Sequence, residues 1–156
     1  MPQWLTTIVS SILPGLIVGI CVAIVSVRLA LRRFYAERWW ERKADAYSCI
    51  VEALHDAIEY CSARSLEDLH GVQLSEQREK ELVEGYELAN RELKKATRVG
   101  AYVISDEVVE VLDALQKRPR LDPKDCAWFE MFDADCEAYK KALSEVRRLA
   151  KKDLKV

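Results

Sequence analysis

The side chains most able to carry out chemistry in this sequence are two histidines, five cysteines and many carboxylates. The chain lacks four common chemical motifs: a phosphate-binding glycine loop, G-x-S-x-G, H-E-x-x-H and C-x-x-C. A zinc ion needs four ligands clustered at short spacing, and these cysteines are scattered. We predict no metal, cofactor or catalytic residue, and expect reduced, mostly buried thiols. The cysteines are Cys21, Cys49, Cys61, Cys126 and Cys136.

One pair of residues offers a weaker chemical signal. Arg64 and His70 are separated by five residues in R-S-L-E-D-L-H. The pair resembles a loose version of the Arg-x4-6-His motif of all-helical HEPN-type ribonucleases, in which both side chains converge on the RNA phosphate. In those enzymes the motif lies on a helix, whereas we predict a loop here, ending at Gly71. The resemblance implies a HEPN-like ribonuclease, which we keep as the third hypothesis for function.

The chain divides sharply in hydropathy. Trp4 to Val27 is a run of 24 residues without charge, and the first charged side chain is Arg28. About 20 apolar residues cross a bilayer core as a helix. A signal peptide would start with basic residues, which Met1 to Gln3 lacks, and a buried helix seldom runs this long without charge. We therefore predict a transmembrane helix over residues 4–31.

Basic residues follow this segment and none precedes it. The positive-inside rule then places the C-terminal part in the cytoplasm and the N-terminus outside, as in a single-pass inner-membrane protein. We expect the lipid bilayer as a partner, with the membrane interface formed by basic side chains and an aromatic belt. These interface residues are Arg28, Arg32, Arg33, Phe34 and Tyr35.

Small residues recur every four positions in the predicted span, at Ser11, Gly15, Gly19 and Ala23. They share one helix face, and small side chains let two helix backbones approach closely in lipid. We therefore expect this face to pack helix against helix in a homo-oligomer.

The remaining sequence has the heptad periodicity of helices. It predicts an all-α fold, in which the membrane helix continues into an antiparallel cytoplasmic helical bundle over 32–156. The helices are expected at about 32–62, 75–100, 106–117 and 123–152. Ser105 is a candidate N-cap for the third helix, and Asp122 with Pro123 for the fourth.

The aromatic residues after the span are expected to have different roles. Trp40 and Tyr47 lie on the first heptad seam, which steps by four and three residues, so both should begin the bundle core. Trp39 lies off the seam, where it should face a neighbouring subunit or lipid.

Charge is unevenly distributed along the chain. The net charge is +4 over residues 28–43, +5 over 140–156 and −11 between them. An acidic body without a recognised binding motif argues against a nucleic-acid partner. The basic C-terminal helix could either contact anionic lipid or be an ordinary solvated helix end, and the sequence leaves both open.

The junction after the span also carries a resemblance. The pattern F-x-x-E-x-W-W-E-x-K-x-x-x-Y is similar to that of small uncharacterised bacterial membrane proteins with one N-terminal span and a helical cytoplasmic part. It comprises Phe34, Glu37, Trp39, Trp40, Glu41, Lys43 and Tyr47. This resemblance implies the same architecture and assigns no activity.

Two main hypotheses for function remain. The first is a non-enzymatic membrane protein that self-associates and couples its bundle to a cytoplasmic protein partner or a signal. The second is an oligomeric pore-like effector that perturbs the membrane, as in phage defence. A pore needs a polar stripe along the full span, and the polar residues here do not line its full depth, which favours the first hypothesis. Those residues are Thr6, Thr7, Ser10, Ser11 and Ser26.

Overall fold

The computed structural model describes residues 3–71, 73–99, 102–119, 121, 124 and 126–155, with side chains from Val22 onward except that of Val99. These ranges contain four helices and no strand, so the all-α prediction is confirmed. The helices are α1 (Gln3–His70), α2 (Glu76–Val99), α3 (Asp106–Lys117) and α4 (Trp128–Leu154).

The chain forms two compact units, Met1–Glu41 and Arg42–Val156. The described part of the first unit belongs to α1 alone, and the second contains the rest of α1 with α2, α3 and α4. Among the described residues, no helix has an apolar stretch long enough to cross a membrane. Residues 4–21 of the predicted span lie outside the residues whose side chains are described.

The second unit is a bundle whose helices alternate in direction. As the residue number increases along α1, the number of the residue that it contacts on α4 decreases, so the two helices are antiparallel. The pairs are Lys43–Asp153, Ser62–Cys136 and Asp68–Phe129. The same reversal relates α3 to α4 through Glu107–Lys152 and Arg118–Asp135. Tyr60 of α1 stacks on Tyr86 of α2 with ring centroids 4.3 Å apart.

The core lies where the heptad seams of the four helices meet. In α3 the predicted positions Val108, Leu112 and Leu115 are all buried. The α4 seam is buried from Cys136 to Ala150, because a 3.6-residue period keeps these positions on one face. The largest fully buried side chains are Leu54, Leu112, Val108, Val146 and Cys61.

The core begins later on α1 than the seam predicts. Tyr47 is buried, at 2% exposure, as predicted. Trp40 is 50% exposed, so the prediction that it begins the core is wrong. The heptad period continues upstream of Tyr47, but periodicity alone cannot show where the packing partners of a helix stop.

The end of α1 also differs from the prediction. The helix runs to His70, eight residues beyond the expected end at 62, so the predicted loop around Arg64 is wrong. Gly71 ends the helix with φ +63°, and its N–H donates to the Glu67 carbonyl at 2.8 Å. The segment between residues 62 and 70 contains no glycine or proline, so no residue in it stops the helix before Gly71.

The bounds of α2 and α3 are close to those predicted, but α4 begins at Trp128 rather than at 123. Asp122 and Pro123, the expected N-cap and first residue, lie outside the described residues. Near the observed start, the Glu130 carboxylate accepts the Ala127 N–H at 3.2 Å. The carboxylate of Asp68, on α1, accepts the Phe129 N–H at 2.9 Å. The first turn of α4 is therefore capped partly by another helix.

Ser105 occupies the N-cap position of α3, as expected, but its side chain makes no capping hydrogen bond. Its backbone carbonyl accepts the Val108 N–H at 3.0 Å. Its hydroxyl lies instead 3.4 Å from the Tyr47 hydroxyl. The N-cap serine is thus used for a contact between helices.

Candidate functional site

The first unit presents an uncovered apolar helix. Every described side chain from Val22 to Glu41 is exposed. Ten of them are large and apolar, with exposures of 45–66%, and they surround the helix instead of forming one stripe. They are Val22, Ile24, Val25, Val27, Leu29, Leu31, Phe34, Tyr35, Trp39 and Trp40. Exposed apolar surface of this extent is typical of sites that contact another protein or a membrane.

Of the predicted helix-packing residues, Ala23 is exposed, and Ser11, Gly15 and Gly19 lie outside the residues whose side chains are described. The predicted interface residues Arg28, Arg32 and Arg33 are all exposed. Their packing and interface roles stay predictions.

Charged and aromatic side chains follow the aliphatic part of this unit. Phe34 and Tyr35 make an edge-to-face contact with centroids 6.0 Å apart, and the Arg38 guanidinium lies 5.6 Å from the centre of the Phe34 ring. Arg33 pairs with Glu37 at 3.5 Å, with both side chains more than 60% exposed. Such exposed pairs contribute at most about 1 kcal/mol to stability, so ion pairing adds little to the stability of this segment.

Trp39, predicted to face lipid or another subunit, is 45% exposed. With Trp40, it places two neighbouring indole rings in contact with the surroundings of the helix. Large aromatic rings are enriched both in membrane interfaces and in protein interfaces, and the role of Trp39 as a contact residue stays a prediction.

The second unit opens with a hydrogen-bonded cluster between helices. The Tyr47 hydroxyl donates to Asp153 at 2.6 Å and accepts the Ser105 N–H at 3.2 Å. The Lys43 ammonium donates to the same Asp153 carboxylate at 2.7 Å. We call Lys43, Tyr47, Ser105 and Asp153 the junction cluster. It ties the start of the bundle part of α1 to the end of α4.

Electrostatics support the junction cluster. Partial burial alone would raise the pKa of Asp153, but the hydrogen bonds from Lys43 and Tyr47 outweigh it and hold that pKa below its usual value. Burial, with the hydrogen bond to Asp153, raises the pKa of Tyr47. Asp153 is therefore a carboxylate, and Tyr47 a neutral donor, at neutral pH. The sequence pointed to Tyr47 but gave no signal for Asp153, which lies 106 residues away.

The HEPN-like pair is not brought together. Arg64 donates to Glu67 and to Glu79, each at 2.7 Å, and lies over the Tyr60 ring. The hydrogen bond to Glu79 is the largest influence that raises its pKa. His70 is exposed at the end of α1, about 120° around the helix from Arg64 at 100° per residue. Arg64 thus joins α1 to α2 through Glu79, while Glu67 is on the same helix as Arg64.

A groove of about 630 Å³ lies between α2, α3 and α4. Arg118 lies over the Tyr139 ring at 4.8 Å and pairs with the buried Asp135. Burial, followed by the hydrogen bond with Tyr86, raises the pKa of Tyr139. Arg118 and Tyr139 thus hold α3 and α4 together at the groove wall, and Arg91 on the wall is exposed.

The other end of the bundle has a smaller exposed apolar group. Leu66, Leu69 and Trp128 are each 54% exposed. The hydrogen bond between Asp68 and the Phe129 backbone places these ends of α1 and α4 side by side. We call these three residues the distal apolar group.

The described cysteines differ in their exposure. Cys61 and Cys136 are buried, Cys126 is half-buried and Cys49 is exposed, while Cys21 lies outside the described side chains. Over the part of the chain that the structure describes, no group of histidines, cysteines and carboxylates could hold a metal ion.

No family model, curated protein or solved structure matches the chain. The apolar helix of the first unit, the junction cluster and the distal apolar group are therefore interpreted from their own geometry.

Proposed function

We propose that this chain is a non-enzymatic, single-pass inner-membrane protein. Residues 4–31 span the membrane, residues 32–156 form the cytoplasmic part, and the chain self-associates and couples its bundle to a protein partner or a signal. The observation that carries this proposal is the uncovered helix from Val22 to Glu41, with ten large apolar side chains exposed. The charge-free sequence from Trp4 to Val27 leads directly into it.

The cost of leaving this helix in water supports a lipid environment. A Val, Leu, Ile or Phe side chain gains about 1.5–3 kcal/mol on full burial. The bundle completes its own core from residue 47 onward and does not use these side chains. Lipid would cover the aliphatic ones, and Arg28, Arg32 and Arg33 can extend their charged ends to the headgroups.

The distal apolar group supports the coupling part of the proposal. Leu66, Leu69 and Trp128 are exposed on the folded unit, and Trp is enriched at the centres of protein interfaces. A cytoplasmic protein partner that contacts this group would bind the bundle at the end opposite Lys43.

Membrane insertion and orientation can be tested on the native chain through Cys49, which is exposed on the bundle. We expect the protein to stay in the membrane pellet after alkaline carbonate washing. A membrane-impermeant maleimide should label Cys49 only after spheroplasts are opened, with Cys49→Ser as the control. Release by carbonate, or labelling in closed spheroplasts, would overturn the span or its orientation.

Self-association can be tested with the variant Gly15→Leu/Gly19→Leu, because bulky side chains on the small-residue face prevent close packing. We expect a smaller particle in detergent than for the wild type. Leu13→Ile/Ile17→Leu, on the opposite helix face, is the matched control. An unchanged particle for the glycine variant would rule out this face as the assembly contact.

The pore hypothesis makes a different prediction for the same protein. An interaction protein reconstituted into liposomes should leave an entrapped dye inside. Dye release that depends on the wild-type chain, and that is lost in Gly15→Leu/Gly19→Leu, would favour the pore.

A further inference from the structure

The last turn of α4 is positively charged, and it lies at the end of the bundle where the bundle part of α1 begins. Asp153 lies 2.7 Å from Lys43 and 2.6 Å from Tyr47, so the last turn of α4 packs beside the first bundle residues of α1. Two exposed lysines, Lys151 and Lys155, flank this contact in the sequence. The helix ends with a left-handed turn at Lys155, whose N–H donates to the Lys151 carbonyl.

The acidic groups closest to this turn are already paired. Asp153 is held by Lys43, and Glu107 accepts from Lys152 at 3.0 Å. Among the described side chains, no carboxylate lies within ion-pair distance of Lys151 or Lys155.

One further exposed arginine belongs to the same end of the bundle. Arg42 is the first residue of the second unit and has no ion pair with a described residue. Asp45 and Asp106 are the remaining exposed acids there, so the unpaired charge of this end stays positive. We call Arg42, Lys151 and Lys155 the basic end.

A short stretch of chain connects the basic end to the proposed span. Lys43 lies 12 positions after Leu31, the end of the proposed span. That path measures about 18 Å as a helix and about 40 Å fully extended. Headgroups occupy about 5–7 Å beyond the hydrocarbon core, and their negative potential extends a further Debye length of about 8–10 Å. The potential therefore reaches about 13–17 Å from the core, slightly less than the length of the helical path.

We propose that the basic end binds anionic phospholipid headgroups of the membrane into which the same chain is inserted. This inference rests on the proposed membrane span. Each lysine or arginine near an anionic leaflet strengthens its binding by about fivefold, and because Asp45 and Asp106 offset two of the three charges, the basic end acts as about one net positive charge. A nucleic acid fits less well, because residues 44–139 carry a net charge of −11 and would repel a long polyanion.

The test compares lysine reactivity in the unmodified full-length chain. The protein is reconstituted into nanodiscs of neutral phosphatidylcholine or of phosphatidylcholine with phosphatidylglycerol, and acylation by an amine-reactive ester is followed residue by residue. We expect Lys151 and Lys155 to react about fivefold more slowly in the anionic discs, and high salt to remove the difference. Lys94 and Lys141, exposed lysines away from the basic end, should react equally in both discs.

A variant pair provides the second measurement. Lys151→Glu/Lys155→Glu should retain less phosphatidylglycerol than the wild type when extracted with its surrounding lipid in polymer-bound particles. Lys94→Glu/Lys141→Glu, with the same change in charge, should retain as much as the wild type.

The outcomes separate this inference from the proposal on which it rests. A chain that does not insert into nanodiscs contradicts the proposed function itself. An inserted chain whose Lys151 and Lys155 react equally in both lipids contradicts only the basic-end inference. Equal protection by inorganic phosphate in neutral discs also overturns it, because the site would then bind a free anion.

Discussion

The two units of this protein are both helical, yet they treat apolar side chains in opposite ways. In α3 the apolar residues at 108, 112 and 115 are 0–8% exposed, and Val109 and Val111 are partly buried against the core. Between Val22 and Leu31 the large apolar residues are 47–61% exposed and surround the helix. The bundle hides its apolar side chains from water by itself, whereas the first unit leaves its apolar side chains exposed.

Charged side chains show the same contrast. In the ion pair between Lys43 and Asp153, the two side chains are only 20% and 23% exposed. In the pair between Arg33 and Glu37, they are 85% and 66% exposed. A partly buried pair is shielded from water and salt, so it can fix the position of a helix. An exposed pair cannot do so.

The largest test of this contrast is a cavity in the core. Leu112→Ala should lower the free energy of unfolding of the bundle by about 2–5 kcal/mol, because Leu112 is fully buried. Leu29→Ala, at a residue 61% exposed, should change it by less than about 0.5 kcal/mol. Urea unfolding in detergent, followed by circular dichroism, measures both, and equal losses would contradict the division.

A second test removes one partner of a shielded ion pair. Asp135→Ala leaves Arg118, itself only 17% exposed, without its carboxylate. We expect a loss of about 2–3 kcal/mol, below the full cost of a buried charge because Arg118 reaches some water. Asp113→Ala, which breaks the exposed pair with Lys117, should cost less than about 1 kcal/mol in the same assay. A loss of the same size for both variants would count against a structural role for Arg118.

A smaller effect is expected at the junction cluster. Tyr47→Phe removes the hydroxyl that binds Asp153 and Ser105, and should cost about 1–2 kcal/mol. Tyr35→Phe removes a hydroxyl from a residue that is 66% exposed, and should leave the stability of the bundle unchanged. Equal thermal midpoints for Tyr47→Phe and the wild type would show that the cluster adds no stability.

The smallest effect is a dependence on pH. The pKa of Asp153 is lowered in the folded protein, so its contribution to stability is complete above about pH 5 and is lost as the pH falls through and below about 4. The stability difference between the wild type and Asp153→Asn should therefore shrink as the pH falls from about 5 to about 2. Asp45→Asn, at an exposed carboxylate, is the control. A constant difference across this range would mean that Asp153 is not stabilised by its partners.

Much of the bundle could be predicted from the sequence, because burial follows the helical period. The seams of α2, α3 and α4 contain many of the residues that the structure buries, such as Leu93, Leu112 and Val146, although Ala142 and Leu149 are buried outside the predicted α4 seam. The start of α4 could not be predicted, because Asp68, a cap for its first turn, comes from α1. Trp40 was misplaced for a related reason, since a seam shows which face is apolar but not whether another helix lies against it.

The candidate sites also differ in how far their residues are separated in the sequence. The basic and aromatic residues after the span are adjacent in the chain, so local sequence was enough to propose them. The junction cluster joins residues 58 to 110 positions apart, and the basic end combines residues from α1 and α4. Only the packing of α4 against α1 brings these residues together.

Gly71 offers a practical way to follow this molecule. Its φ of +63° ends α1, and nothing lies within 4 Å of the position that a Cβ would occupy, so the corner is open on its outer side. Gln73 and Ser75 beside it are also exposed, and exposed loops of this kind tolerate inserted sequence. A fluorescent protein or an epitope inserted after Gly71 would report on the bundle without blocking either terminus of the chain.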